Sequence, residues 1–149
     1  MKIDNHMKLE FAGIPENVSF ARLVVVTFAS QLDFTLDDLE EIKVAISEAV
    51  SNAIIHGYQN QPGGLVWIES SIRENCLEVV IKDEGVGISN IEQAMQPAFT
   101  TCQDRMGLGF SFMQSFMDEI EVQSVVNGGT RIRLCKSIKN LDHDANMEH

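Results

Sequence analysis

Ser47-Glu48-Ala49-Val50-Ser51-Asn52-Ala53-Ile54-Ile55-His56-Gly57 is the stretch that decides how this chain folds. It closes a longer run, residues 36–56, in which Leu39, Ile42, Ile46, Ala49, Val50 and Ala53 recur at helical spacing. That period predicts an amphipathic helix with one buried stripe. Thr35, followed three residues later by Asp38, forms a capping-box start with Asp in place of the usual Glu or Gln. Gly57 is a natural stop. Glu48, Asn52 and His56 stand at i, i+4 and i+8, so they share a second face. Asn and His are mediocre helix formers, and a polar stripe of them calls for a reason. A solvated face is one. The other is a carboxylate that can take a proton beside an amide oxygen that can ligate a hard cation.

Working outward, Met7-Lys8-Leu9-Glu10-Phe11 alternates apolar and polar residues, the period of a half-buried strand. Residues 17–32 carry Phe20, Leu23, Val24, Phe28 and Leu32 at helical spacing and predict a second helix. Downstream, residues 65–72 and 77–81 read as strands joined by a turn at Arg73-Glu74-Asn75. A glycine-bearing loop (83–89), a short helix (91–95) and an irregular stretch (97–106) follow. Gly107 opens a helix to residue 117, and strands at 120–126 and 130–134 flank the hairpin signal Asn127-Gly128-Gly129. This order predicts an α/β two-layer sandwich with a mixed, mostly antiparallel sheet. One domain is expected over residues 1–136, with a polar tail at 137–149.

The chain has 149 residues, with 11 Lys and Arg against 22 Asp and Glu, a net charge of −11. That balance argues against a nucleic-acid partner, which needs a basic footprint. No apolar run reaches the ~20 residues of a membrane span. The opening Met1-Lys2-Ile3-Asp4-Asn5-His6 has no apolar signal segment, so a cytoplasmic location is expected. Cys76, Cys102 and Cys135 lack CxxC spacing and predict neither a disulfide framework nor a zinc site. Cys76 and Cys135 sit in strand-like runs and are expected to be small core residues.

Three further motifs carry chemistry. Asp83-Glu84-Gly85-Val86-Gly87 follows a strand, where its glycines let backbone approach a flat ligand and its Asp can accept from an exocyclic amine. Arg105-Met106-Gly107-Leu108-Gly109 is glycine-rich chain running into a helix, whose N–H groups and dipole suit an anion. Gly129-Thr130 brings a hydroxyl to the start of the last strand. Each alone is a weak signal. Together, in this order behind Glu48-xxx-Asn52, they resemble the GHKL ATPase/kinase superfamily, and the likeness spans residues 7–136. Within it, Ser19-Phe20-Ala21-Arg22, the stretch from Ser47 to Tyr58, and Gln96-Pro97-Ala98-Phe99-Thr100-Thr101 are similar to the anti-sigma serine kinases, the sporulation branch above all.

The resemblance implies the GHKL-type (Bergerat) ATP-binding fold and a set of roles. Glu48 would be the catalytic base that activates an acceptor hydroxyl. Asn52 would contact ATP and ligate Mg²⁺. Asp83 would accept from the adenine amine, with Gly85 and Gly87 shaping that pocket and Thr130 supporting it. Thr100, Thr101, Arg105, Gly107 and Gly109 would belong to a lid over the phosphates. Arg22 would bind a sporulation sigma factor, held in the ATP state. A serine on an anti-anti-sigma protein would be the phosphate acceptor, and the kinase would be a homodimer. The chain departs from the family in having a shorter stretch, Cys102 to Met106, before Gly107, with Met106 where the family has serine. Two other readings stay open: a general stress-response anti-sigma serine kinase, and an ATP-dependent binding switch that transfers no phosphate. Glu48 disfavours the switch, which has no need of a carboxylate one turn before the cation ligand.

Overall fold

The 36–56 run forms a regular α-helix only as far as Asn52, and then its pitch changes. The computed structural model describes residues 4–96 and 105–139, Arg105 by its backbone alone. The long helix α2 (Leu36–Asn52) begins at a complete capping box. Asp38 N–H donates to Thr35 Oγ1 at 3.0 Å, and Thr35 N–H donates to Asp38 Oδ2 at 3.2 Å. Thr35→Ala is therefore expected to cost about 1 kcal/mol, read as a lower urea midpoint with an unchanged denaturant slope. After Asn52 the chain widens into a π-helical turn, Ala53–Gly57, sealed by Tyr58 N–H donating to the Ala53 carbonyl at 2.9 Å. The α-helix expected through residue 56 thus ends four residues early, and single π turns of this kind favour functional sites.

The first helix, α1 (Asn17–Ala29), also stops short of the expected residue 32. Its last carbonyls are taken by polar side chains: Ser30 Oγ donates to Thr27 O and Gln31 Nε2 to Phe28 O. Those bonds compete with another helical turn.

The sheet consists of β1 (Asn5–Ala12), β2 (Leu65–Arg73), β3 (Cys76–Asp83), β4 (Glu119–Val125) and β5 (Gly129–Ser137). Its order is β1-β2-β3-β5-β4, and every pairing is antiparallel. The β2–β3 hairpin turns on Glu74 and Asn75, both at positive φ, as a two-residue turn of this twist requires. Asn127 and Gly129 play that part between β4 and β5. Among the described residues, two helices lie between β3 and β4, the short α3 (Ile91–Met95), capped by Asn90, and α4 (Arg105–Phe116).

One face of the sheet is buried under the helices. Val66, Ile68, Ile72, Leu77, Val79, Ile81, Ile132 and Leu134 project from it into a core shared with Ile42, Ile46, Val50, Phe110 and Met113. Helix α2 packs against both α1 and α4. This is the expected two-layer sandwich. The strand alternation puts Cys135 and Cys76 on the opposite, open face, out of phase with Leu134 and Leu77. Cys135 is still buried there, whereas Cys76 is only half-buried, so the expected core role fails for Cys76. The open face is tied by Arg133, which pairs with Glu78, Glu119 and Glu121. Of the expected tail, Ser137 ends β5 and Ile138 N–H donates to Asn75 O, while residues 140–149 lie outside the described residues.

Candidate functional site

Close packing of α4 on α2 builds one wall of the site. A Cβ on Gly109 would stand 2.9 Å from Glu48 Oε2 and 3.5 Å from both side-chain amide atoms of Asn52. Glycine there lets the α4 backbone lie directly over the Glu48–Asn52 face. A Cβ on Gly107 would meet the Gln96 carbonyl at 2.3 Å. Both glycines lie inside α4, which begins two residues before the expected Gly107, and they serve close approach instead of a turn. Glu48 is half-buried and Asn52 only 9 % exposed, so the polar stripe is no solvated face. Asn52 Nδ2 is buried with no hydrogen-bond partner among the described residues. Leaving such a group unpaired costs roughly 1–3 kcal/mol, and a ligand would relieve it.

The opposite wall is the loop after β3. Asp83 is 5 % exposed, and its Oδ1 accepts the Gly85 N–H at 2.8 Å. Burial pushes the Asp83 carboxyl above its ordinary range, while N–H bonds from Gly85 and Thr130 act the other way. A Cβ on Gly57 would stand 2.9 Å from Asp83 Oδ1, and one on Gly85 would overlap the Gly57 carbonyl at 2.1 Å. The π turn and the loop therefore meet backbone to backbone, locked by Val86 N–H donating to Gly57 O at 2.9 Å. Gly87 has φ +77°, and its N-terminal neighbour Val86 accepts from Asn127 N–H at 2.7 Å.

Between these walls a narrow slot of about 20 Å³ runs past Asn52, Asp83, Ile88, Phe110 and Thr130. It opens into a wider cleft of about 370 Å³ beside His56, Asn90, Gln93, Met106 and Gly107. Of the expected site residues, Asn52, Asp83, Gly87, Gly107 and Thr130 line these two cavities, whereas Gly85 stands behind Asp83 and Glu48 and Gly109 adjoin Asn52 without lining either. Thr100 and Thr101 lie outside the described residues, as does the Arg105 side chain. Arg22 does not line the slot; its Nη1 donates to Ser47 Oγ, on the residue before Glu48, and its Nη2 to Ser19 Oγ, each at 3.3 Å. No carboxylate pairs with Arg22 among the described residues, which leaves its charge available to a partner. The described residues hold no group of three His, Cys, Asp or Glu able to bind a metal. A cation here would lean on ligand oxygens, with the Asn52 amide as its protein contact, the usual manner of Mg²⁺ beside phosphates.

Two contributors escaped the sequence reading. Ser124 Oγ accepts the Ile88 N–H at 2.6 Å and lies 2.9 Å from Thr130 Oγ1, pinning the far end of the loop. Nothing in an alternating strand marks such a serine. Tyr58 pins the near end, and as the only tyrosine in the chain, directly after His56-Gly57, it carried a readable signal.

Residues 11–136 match the histidine kinase-like ATPase domain family. The anti-sigma F factor of a Geobacillus species is 54% identical over 136 residues, covering 90% of this chain and 93% of that protein. The anti-sigma F factor of Clostridium beijerinckii is 48% identical over 135 residues, 89% of this chain and 94% of that one. Among solved structures, the RsbU and RsbW domains of a Mycobacterium tuberculosis protein superpose with TM-score 0.62 at 16% identity, over 89% of this chain and 32% of that one. A blue-light-activated histidine kinase from Erythrobacter litoralis gives TM-score 0.58 at 18% identity, over 87% of this chain and 43% of that one. These two likenesses show a shared fold.

Proposed function

The chain belongs to the histidine kinase-like ATPase domain family, in its anti-sigma F factor branch, and from that premise we propose that it is an ATP-dependent protein-serine kinase that also holds a sigma factor inactive. The observation that carries this reading is the half-buried Glu48 carboxylate set beside the unsatisfied Asn52 amide under the bare backbone of Gly109. Asp83 accepts a hydrogen bond from the adenine amine, and the close-packed Gly57 and Gly85 backbones floor the base. The first turn of α4 offers N–H donors to the phosphates. Asn52 would hold Mg²⁺, which when bound would neutralise phosphate charge. Glu48 receives the proton of the serine hydroxyl. The slot is narrower than a purine, and Met106 and Phe110 are among the side chains that bound it.

The acceptor serine belongs to an anti-anti-sigma protein, and the sigma factor is of the sporulation type, held by a homodimer in the ATP state. The decisive experiment incubates the protein with ATP and an anti-anti-sigma protein and locates phosphate by mass spectrometry. Phosphate on one serine is expected; ATP-dependent sigma capture with no transfer would instead make the protein a switch.

Arg22→Ala is expected to weaken sigma-factor capture by more than about 1 kcal/mol while ATP binding stays intact. Equal capture by parent and variant would reduce Arg22 to a packing residue of α1. The raised Asp83 pKa adds a pH signature. An ionised Asp83 accepts from the adenine amine more strongly than a protonated one, which keeps only a neutral carbonyl acceptor. ATP affinity should therefore fall with pH starting above the ordinary aspartate range of about 3.9, and Asp83→Asn should flatten that component in calorimetric titrations. Folding runs the opposite way. The folded state binds the Asp83 proton more tightly than the unfolded one, so stability declines as pH rises through that window.

A further inference from the structure

We propose that the Tyr58 hydroxyl is a positioning group that aims Asp83 at the adenine amine and thereby sets base selectivity, an inference that rests on the ATP reading of the site. Tyr58 follows the π turn directly, and its ring lies on a floor without side chains. A Cβ on Gly64 would meet the ring at 2.5 Å and one on Gly13 at 3.2 Å, and Gly13 N–H donates to Gly64 O at 2.8 Å. From that seat the hydroxyl bridges two elements. It donates to the Leu65 carbonyl at the start of β2 at 2.5 Å and accepts the Glu84 N–H at 2.8 Å.

The second bond matters for the base. Glu84 N belongs to the peptide that leaves Asp83, and Gly85 N–H, one residue on, donates to the Asp83 carboxylate. Fixing the Glu84 N–H fixes the plane of that peptide and hence the turn on which the carboxylate orientation depends. Glu84 itself is exposed, so water could satisfy its N–H as well as Tyr58 does. Saturation of a buried donor is therefore no reason for the bridge. Its effect is geometric: with Val86 N–H held by Gly57 O, two consecutive residues of one turn grip alternate residues of the loop. Asp83 and Glu84 also raise the Tyr58 pKa through their charges, behind the larger effect of burial, which places the phenol within electrostatic reach of the carboxylate.

The test compares binding of ATP with that of purine riboside triphosphate, which lacks the exocyclic amine, to the parent and to Tyr58→Phe. Tyr58→Phe keeps the ring on its glycine floor and removes only the bridge. The parent is expected to prefer ATP, and the variant to lose about three- to tenfold of that preference, the scale of one hydrogen bond, chiefly through weaker ATP binding. Equal weakening for both nucleotides, with the ratio preserved, would show a merely structural role and overturn the inference while leaving the ATP site standing. A parent that binds both nucleotides equally would overturn the adenine role of Asp83, and the inference with it. Should Tyr58→Phe fail to fold, Gly64→Ala carries the same comparison, because its Cβ displaces the ring and the hydroxyl with it. The ratio should fall there too, and a preserved ratio would count against the proposal.

Discussion

Glu48→Gln is expected to lower phosphate transfer to the serine acceptor by roughly 10²-fold or more, the usual scale for a positioned base, while ATP and the sigma factor stay bound. The side chain keeps its size and most of its hydrogen-bonding capacity but cannot take a proton. Gly109 makes the variant a clean one, because the room over Glu48 Oε2 is set by absent atoms on α4 and does not change. A base acts only when the hydroxyl is losing its proton, so ground-state binding should be untouched. Single-turnover transfer with saturating ATP and anti-anti-sigma protein reads the effect. Near-parent rates would leave a nucleotide site without an assigned base.

Asn52→Ala should have the complementary outcome and abolish Mg²⁺-dependent ATP binding. Asn52 Nδ2 is buried with no partner among the described residues, and these offer no carboxylate cluster to replace it. Removing it should relieve a small folding cost, so the variant is expected to be at least as resistant to urea as the parent while calorimetry shows no Mg·ATP heat. Tight Mg·ATP binding by the variant would return Asn52 to the role of a polar helix residue. The pair of substitutions separates chemistry from binding along one helix face.

The α2 stripe and the hairpin turns were legible because each follows from local rules. Apolar spacing decides the buried face, and Asn127-Gly128-Gly129 supplies the positive φ that its turn needs. The Asp83 loop was legible as a motif, since its glycines mark close backbone approach. The end of α2 was not. Residues 53–56 have good helical spacing, and only the tertiary lock of Gly57 against Gly85 explains why the helix widens there. The close approach at Gly107 and Gly109 was hidden for the same reason. Glycine in a sequence says that a side chain is absent, not whether freedom or proximity required it. Ser124 and Tyr58 act through hydroxyls directed at loop N–H groups, and such bonds leave no periodicity to read.

The π turn has one more consequence. Asn52 ends the regular part of α2 and Gly57 touches the Asp83 loop, so the two ends of the site are fixed to a single unbroken length of chain. That length acts as a ruler. Its wide turn encloses one residue more than an α-helical turn, which retards the helix's rotation and sets the Gly57 edge out of phase with the face that bears Glu48. On the proposed reading, the span from the adenine end of the site to Asn52 is thus gauged by covalent geometry. The opposite wall has no such covalent gauge: α4 holds its place over Glu48 and Asn52 only by packing, through the missing side chain of Gly109.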